Sequence, residues 1–278
     1  MAARLLQERR SSLRGNVKFM FQPAEEGPGG AEPMIRAGLL KNPKVDAAIA
    51  LHMWNHLPTG QLGVRSGPVF AAVDEFTIRV RGVGGHGAAP QQTVDPIVAA
   101  AHVVTSLQPV ISRRTDPFHS AVLTIGRIAG GTRFNIIPDE VILEGTVRSF
   151  RKDVRRKLRR EIERVAKNVC TAHGAKAIIR YSHLYPATVN DPKMTDLARK
   201  AGLEVVGARG VVEHDRTMGA EDMSYVLEEV PGCYVMLGSM NKKKGFVNPH
   251  HSARFNFDED ALPIGVEFIV RTVERYLA

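Results

Sequence analysis

The order in which the hydrophobic period changes between residues 73 and 184 limits the folds open to this chain more than any other feature. Phe76, Ile78 and Val80 alternate with Thr77, Arg79 and Arg81, the two-residue period of a strand with one buried face. Residues 95–107 then read as a helix, residues 120–128 as a strand, and residues 140–150 as another strand with Val141, Leu143, Gly145 and Val147 on one side. A long helix over 151–173 collects Leu158, Ile162, Val165 and Val169 on one face and stops at Gly174; residues 176–182 supply a last strand. Strand, helix, strand, strand, helix, strand is the split βαβ order of a ferredoxin-like sheet.

On either side the texture is α/β. Strands are expected at 16–21, 47–52 and 233–237, and helices at 29–40, 193–202, 223–229 and 262–277. The expected architecture is therefore an α/β domain in two parts, residues 1–72 and 185–278, interrupted by an inserted ferredoxin-like α+β domain over 73–184. A chain of 278 residues can bury a core in both. The longest mainly apolar stretch, 97–107, is broken by His102, Thr105 and Ser106, and falls well short of the roughly 18 residues of a membrane span. Residues 1–14 are Arg-rich, as transit peptides are, yet Ala2, Leu5, Leu6 and Leu13 fall roughly on one helical face and Glu8 interrupts the pattern, so a folded helix is expected. Two cysteines, Cys170 and Cys233, are too few for a disulfide framework and fit a reducing, cytoplasmic setting. The net charge of +9 gathers in residues 151–167, nine Lys or Arg against three acidic residues, with no aromatic residue interleaved for base stacking. That run reads as the solvated face of a helix, and no nucleic-acid partner is expected.

Three loops carry candidate chemistry. Gln22-Pro23-Ala24-Glu25-Glu26-Gly27 sets adjacent carboxylates at the end of an apolar segment, where they repel unless a cation sits between them or one holds a proton; alone, an exposed acidic turn is the simpler reading. His52 ends the apolar run Ala48-Ile49-Ala50-Leu51, and neutral imidazole there would suit zinc or a similar metal. His250-His251 follows Asn248-Pro249 in a loop. Each signal is weak by itself.

Together with their local sequences they resemble the aminoacylase/carboxypeptidase family of metallo-amidohydrolases, in the branch of hippurate hydrolases and indole-acetyl-amino acid hydrolases. The likeness runs through Phe21-Gln22-Pro23-Ala24-Glu25-Glu26-Gly27, Leu51-His52, Gly85-His86-Gly87-Ala88-Ala89-Pro90, Phe134-Asn135-Ile136-Ile137-Pro138-Asp139, Gly219-Ala220-Glu221-Asp222 and His251-Ser252, in that order along nearly the whole chain. The resemblance implies a metallopeptidase-like catalytic domain with an inserted dimerisation domain, cleaving the amide bond of N-acyl amino acids or related small amides. It implies Glu25 as the general base for a metal-activated water and Glu26, His52 and His251 as metal ligands, with His250 the second choice to His251. It further implies that His86 and Asn135 hold substrate, His86 reaching the cleft of a second subunit in a homodimer. The glycines around His86 would let backbone approach a substrate, or merely turn. Glu221-Asp222 reads as an acidic pair at a helix N-terminus and is kept out of the catalytic set.

One departure matters. The resemblance implies a Cys-Gly-His-Asp-Gly-His segment just ahead of the first helix, and neither Cys170 nor Cys233 has such neighbours. The chain is therefore expected to be truncated at its N-terminus. It should hold one zinc or manganese ion or fewer where the intact family holds two. The alternative is a non-catalytic relative that dimerises or binds a ligand.

Overall fold

The computed structural model describes residues 1–278. They divide into two compact units, one of residues 1–69, 188–217 and 221–278, the other of residues 70–187 and 218–220. Elements are numbered along the whole chain.

In the first unit β1 (Ala48–Pro58) runs parallel to β12 (Gly232–Met240), with Ala48 opposite Gly232 and Trp54 opposite Gly238. β2 (Leu62–Gly63) pairs antiparallel with β12 and parallel with β11 (Val211–Val212), giving the sheet order β1-β12-β2-β11. β12 is buried at all but its last residue, as expected of a strand covered on both faces. Gly238 is required there, because a Cβ would lie 2.0 Å from the Pro58 carbonyl oxygen. The helices α5 (Pro192–Gly210) and α7 (Ala261–Tyr276) build the core, in which Met194, Ala198, Ala201 and Phe268 join Leu62, Val64, Val235 and Leu237. α5 outruns its expected end by passing through Gly207 at φ +69°. The shorter helices are α1 (Ala2–Glu8), α2 (Ala31–Arg36) and α6 (Ser224–Glu229). α1 buries Leu6, and Arg9 just beyond it pairs with Glu274 of α7 at 2.8 Å. A small ladder joins β3 (Gly67–Phe70) to β10 (Thr188–Asn190). No helix is long and apolar enough to cross a membrane.

One expected strand is absent. Residues 16–21 have no regular structure and make no ladder, and Phe21 is 83% exposed, ring-stacked on Phe19. β1 lies at the sheet's edge and pairs only with β12. The segment is instead held by Lys18, whose ammonium donates to the carbonyls of Leu39, Lys41 and Pro43 at 2.8–3.0 Å. Apolar periodicity reports that a segment can pair, not that a partner lies alongside.

The second unit contains β4 (Ala72–Arg81), β5 (Gly85–His86), α3 (Pro96–Ser112), β6 (Ala121–Gly130), β7 (Ile136–Ile137), β8 (Glu140–Ser149), α4 (Lys152–Ala172) and β9 (Lys176–His183). Its sheet has the order β6-β8-β4-β9, antiparallel throughout, with α3 and α4 supplying the apolar cover. Phe76 faces Gly145 across the β4–β8 ladder, and a Cβ on Gly145 would come within 2.3 Å of the Phe76 ring. Asp95 caps α3 by accepting from the backbone N–H of Ile97 and Val98. At the N-cap of α4 and along it three arginines pair with acids, Arg151 with Asp153, Arg159 with Glu163 and Arg164 with Glu161, at 2.8–3.0 Å.

A buried charge ties three of these elements together. Asp74 on β4 is 1% exposed and accepts from Arg155 of α4 at 2.8 and 2.5 Å and from the Tyr181 hydroxyl of β9 at 2.7 Å, with His183 Nδ1 at 3.0 Å. Burial and the neighbouring carboxylate push the Tyr181 phenol up, so it remains a donor. Breaking such a pair from one side leaves the guanidinium without its counter-charge. Asp74→Asn is therefore expected to destabilise the protein by about 3 kcal/mol, read as a lower urea midpoint at unchanged slope; a loss under roughly 1 kcal/mol would show that solvent compensates Arg155.

Candidate active site

The acidic loop, residues 22–30, is contorted. Ala24, Gly27 and Gly29 all have positive φ (56°, 118° and 95°), and a Cβ on Gly30 would fall 2.1 Å from the Pro23 carbonyl oxygen. Both ends are held by one carboxylate. Asp222, fully buried, accepts from the Gln22 amide on one side and from the backbone N–H of Gly30 and Ala31, at 2.8 and 2.9 Å, on the other. Between these ends Glu25 is half-buried and Glu26 exposed. Carboxylate oxygens of Glu25, Glu221 and Asp222 lie within 4.8 Å of one another. Glu221 is itself engaged, accepting from the Tyr234 hydroxyl at 2.5 Å and from Met223 N–H at 3.0 Å. Burial pushes Glu25 up to about 7, reinforced by the like charges of Glu221, Glu26 and Asp222.

His52 lies on β1 opposite Met236, its ring 6.4 Å from that of Tyr234 and 5.4 Å from that of His250. Its Nδ1 sits 2.5 Å from the Met53 carbonyl oxygen. A carbonyl only accepts, so Nδ1 carries a proton, and Nε2 is the nitrogen left to ligate. His250 has the opposite tautomer, since its Nε2 accepts the backbone N–H of Asn55 at 3.1 Å. Burial, with the imidazoles of His52, His56 and His251 nearby, pushes His250 down to about 4, so it is neutral at pH 7. His251, exposed and at φ +62°, brings Nε2 to 3.9 Å from Glu26 Oε1. The loop around the two histidines is fastened by Asn55 of β1. Its buried side chain donates to the carbonyls of Asn248 and Asn256 at 3.0 and 2.7 Å and accepts from the Ser239 hydroxyl at 2.7 Å.

His86 and Asn135 lie in the other unit, on the two arms of the β5–β7 ladder. His86 is opposite Ile136, and Gly87 N–H donates to the Asn135 carbonyl at 2.8 Å. His86 Nδ1 accepts from Ala88 N–H at 3.0 Å, which leaves Nε2–H as a donor. The surrounding glycines serve the unit's own backbone: a Cβ on Gly82 would lie 2.0 Å from the Val94 carbonyl oxygen, and one on Gly84 2.7 Å from that of Ile137.

The residues expected from the sequence thus form four groups: Glu25 among carboxylates, Glu26 with His251, His52 beside His250, and, in the second unit, His86 with Asn135. Sequence reasoning passed over Asn55 and Tyr234 and left Glu221-Asp222 as a helix-end pair. Only Glu221 turns toward the start of α6; Asp222 reaches α2 instead. The signal for them was their place in the motif Gly219-Ala220-Glu221-Asp222.

Residues 1–275 match the profile of Peptidase family M20/M25/M40. The chain belongs to this family. Among M20 relatives it is 39% identical over 266 residues to thermostable carboxypeptidase 2 of Saccharolobus solfataricus, covering 95% of this chain and 66% of that one. It is 37% identical over 280 residues to IAA-amino acid hydrolase ILR1-like 4 of Arabidopsis thaliana, covering 99% and 63%. The chain therefore spans a little under two thirds of the length of these relatives. Among solved M20 structures, the YXEP protein of Bacillus subtilis, described as a dinuclear metal binding peptidase, superposes with a TM-score of 0.84 at 32% identity, covering 99% of this chain and 69% of that one. The resemblance read from the motifs and the α/β fold class both stand on these matches.

A carboxyl whose folded pKa is raised holds its proton longer folded than unfolded, so stability falls as pH rises from 4.5 toward 7. With chelator present, Glu25→Gln is expected to remove its share of that fall, leaving that of Glu221, which burial also pushes up, and to raise stability at pH 7.5 by about 1 kcal/mol. This is a fraction of the full linkage, because solvent reaches the carboxylate. Parallel stability–pH curves for the two proteins would contradict it.

Proposed function

We propose that this M20 chain is a metal-dependent amidohydrolase acting on N-acyl amino acids or related small amides. The observation that carries the reading is the meeting of two loops far apart in sequence, with Glu26 Oε1 3.9 Å from His251 Nε2, next to a Glu25 pushed up to about 7.

The Glu26–His251 pair fits a divalent cation, and His52, which stands apart from that pair beside His250, is proposed as a third donor. Two ligands sharing one tetrahedral ion sit roughly 3–3.5 Å apart, close to the Glu26–His251 separation. His52 has the tautomer a ligating imidazole needs, with Nδ1–H on a carbonyl and Nε2 open. Mixed carboxylate and imidazole donors suit zinc or manganese. His251 is preferred to His250, whose Nε2 is already taken by Asn55. With Glu26, His52 and His251 as ligands, one ion or fewer is expected per chain. When bound, such an ion lowers the pKa of water and polarises a carbonyl.

The protein's own groups then divide the work. Glu25, near neutrality, takes the proton of the attacking water and can return it to the leaving amine. By the resemblance His86 reaches the cleft of a second subunit, where its Nε2–H, left as the donor by the Ala88 bond to Nδ1, would serve the oxyanion that develops on the amide oxygen, with Asn135 near the substrate. The sheet of the second unit ends in the edge strands β6 and β9, and Ile128 on β6 is 60% exposed. Open edges pair readily, so a homodimer through this unit belongs to the reading. Two buried free cysteines accord with a reducing, cytoplasmic setting.

In the metal-loaded protein, Glu25→Gln is expected to lower turnover of N-acyl amino acids by about 10²- to 10⁴-fold while metal content by elemental analysis stays the same. Loss of metal together with turnover would make Glu25 a ligand and exchange its role with that of Glu26. The whole chain is expected to sediment as a dimer at micromolar concentration; a folded monomer there would remove the proposed contact.

A further inference from the structure

The carboxylate group at the acidic loop contains an ambiguity that its hydrogen bonds resolve. By distance alone Asp222 belongs with Glu25 and Glu221 as a candidate metal ligand. Three of its roughly four lone-pair sites are taken, however, both of those on Oδ2 among them. Oδ2 accepts two backbone N–H groups, of Gly30 and Ala31, and Oδ1 accepts the Gln22 side-chain amide. These donors are the two ends of the segment that carries Glu25 and Glu26. Between them the chain passes through three positive-φ residues; Gly27 and Gly29 adopt that conformation freely, but Ala24 at φ 56° is in one that a free loop would leave for more populated ones. The anchoring carboxylate is completely buried, so little water competes for these bonds.

We propose that Asp222 is a positioning residue of the metal centre rather than one of its ligands. It fastens the start and end of the 22–31 loop and so sets where the Glu26 and Glu25 carboxylates stand. The inference rests on the metal-centre reading above and adds a residue to it. It also explains the pairing of Gln22 with Asp222. The Gln amide supplies a neutral donor at the loop's entry, where a second carboxylate would repel.

The role separates from ligation by what each asks of the side chain. A clamp needs acceptor oxygen in the right place, and Asn supplies it. Its Oδ1 can take Gly30 and Ala31, while its amide donates to Gln22 once the Gln22 amide turns over. A ligand needs the charge, and Asn lacks it.

The test is Co²⁺ titration of the whole chain, followed by the visible spectrum of the bound ion, together with hydrogen exchange of the metal-free protein. Asp222→Ala is expected to weaken Co²⁺ binding at least 10-fold and to speed exchange across residues 22–31, with α3 unchanged. Asp222→Asn should keep Co²⁺ affinity within about 3-fold and leave the spectrum intact. If Asp222→Asn loses Co²⁺ as severely as Asp222→Ala, Asp222 is a ligand and the proposal falls. Should Asp222→Ala not fold, Gln22→Ala removes one leg of the clamp; faster exchange confined to the loop's entry supports the proposal, and unchanged exchange overturns it. A wild-type chain that takes up no Co²⁺ would count against the metal-centre reading, while the exchange arm would still decide whether Asp222 holds the loop.

Discussion

The parallel pairing of β1 with β12 is the constraint on which the first unit depends. It joins residues near 50 to residues near 235, and its register decides which side chains share a neighbourhood. With Ala48 opposite Gly232, His52 comes beside Tyr234, and Asn55 comes within reach of Ser239. A slip of one residue would turn each of these to the opposite face of the sheet. The glycines fix that register sterically: Gly238 lies so close to the Pro58 carbonyl that a side chain cannot fit, and a Cβ on Gly232 would lie 2.6 Å from the Ala48 carbonyl oxygen.

From this ladder outward, loops without regular structure are held by single polar side chains, Asp222 and Asn55 buried and Lys18 half-buried. Lys18 gathers the carbonyls of 39–43, Asp222 gathers the N–H groups around 22–31, and Asn55 gathers the carbonyls of 248–256. Each answers the same need, since a buried main-chain polar group without a partner costs on the order of 1–3 kcal/mol. Cationic or amide donors meet loops that turn carbonyls inward, and a carboxylate meets the loop that turns N–H groups inward. The chemistry of the anchor follows from which way the peptide planes face.

Elements governed by a repeating apolar period were legible in the sequence to within a few residues, as with β4, β8 and α4, because burial on one face is a local property of the pattern. Residues 16–21 carried the same kind of signal and form no strand, since the pattern holds no information about a neighbour. Of the proposed site, Glu25, Glu26, His52 and His251 were singled out through motifs, whose order along the chain is itself information. Asn55 stood in none of them, and Asp222, though within one, was set aside as half of a helix-end pair. Their identities are unremarkable for a strand and a helix end, and their importance comes from partners as distant as Asn256 and Gly30. Tautomers were beyond the sequence for a related reason: the Met53 carbonyl chooses one for His52 and the Asn55 amide the other for His250.

The place of Asp74 has a consequence for how the second unit is assembled. β4 is central in its sheet, yet both its neighbours, β8 and β9, are made after it, as are Arg155, Tyr181 and His183. During synthesis the strand must wait, extended and unpaired, for more than half the unit to follow. Asp74, Glu75, Arg79 and Arg81 punctuate its apolar residues with charge, which discourages wrong pairing in the interval. Asp74 differs from the other three in ending up sealed inside. The residue that guards the waiting strand becomes, once β9 arrives, the one that locks the finished sheet.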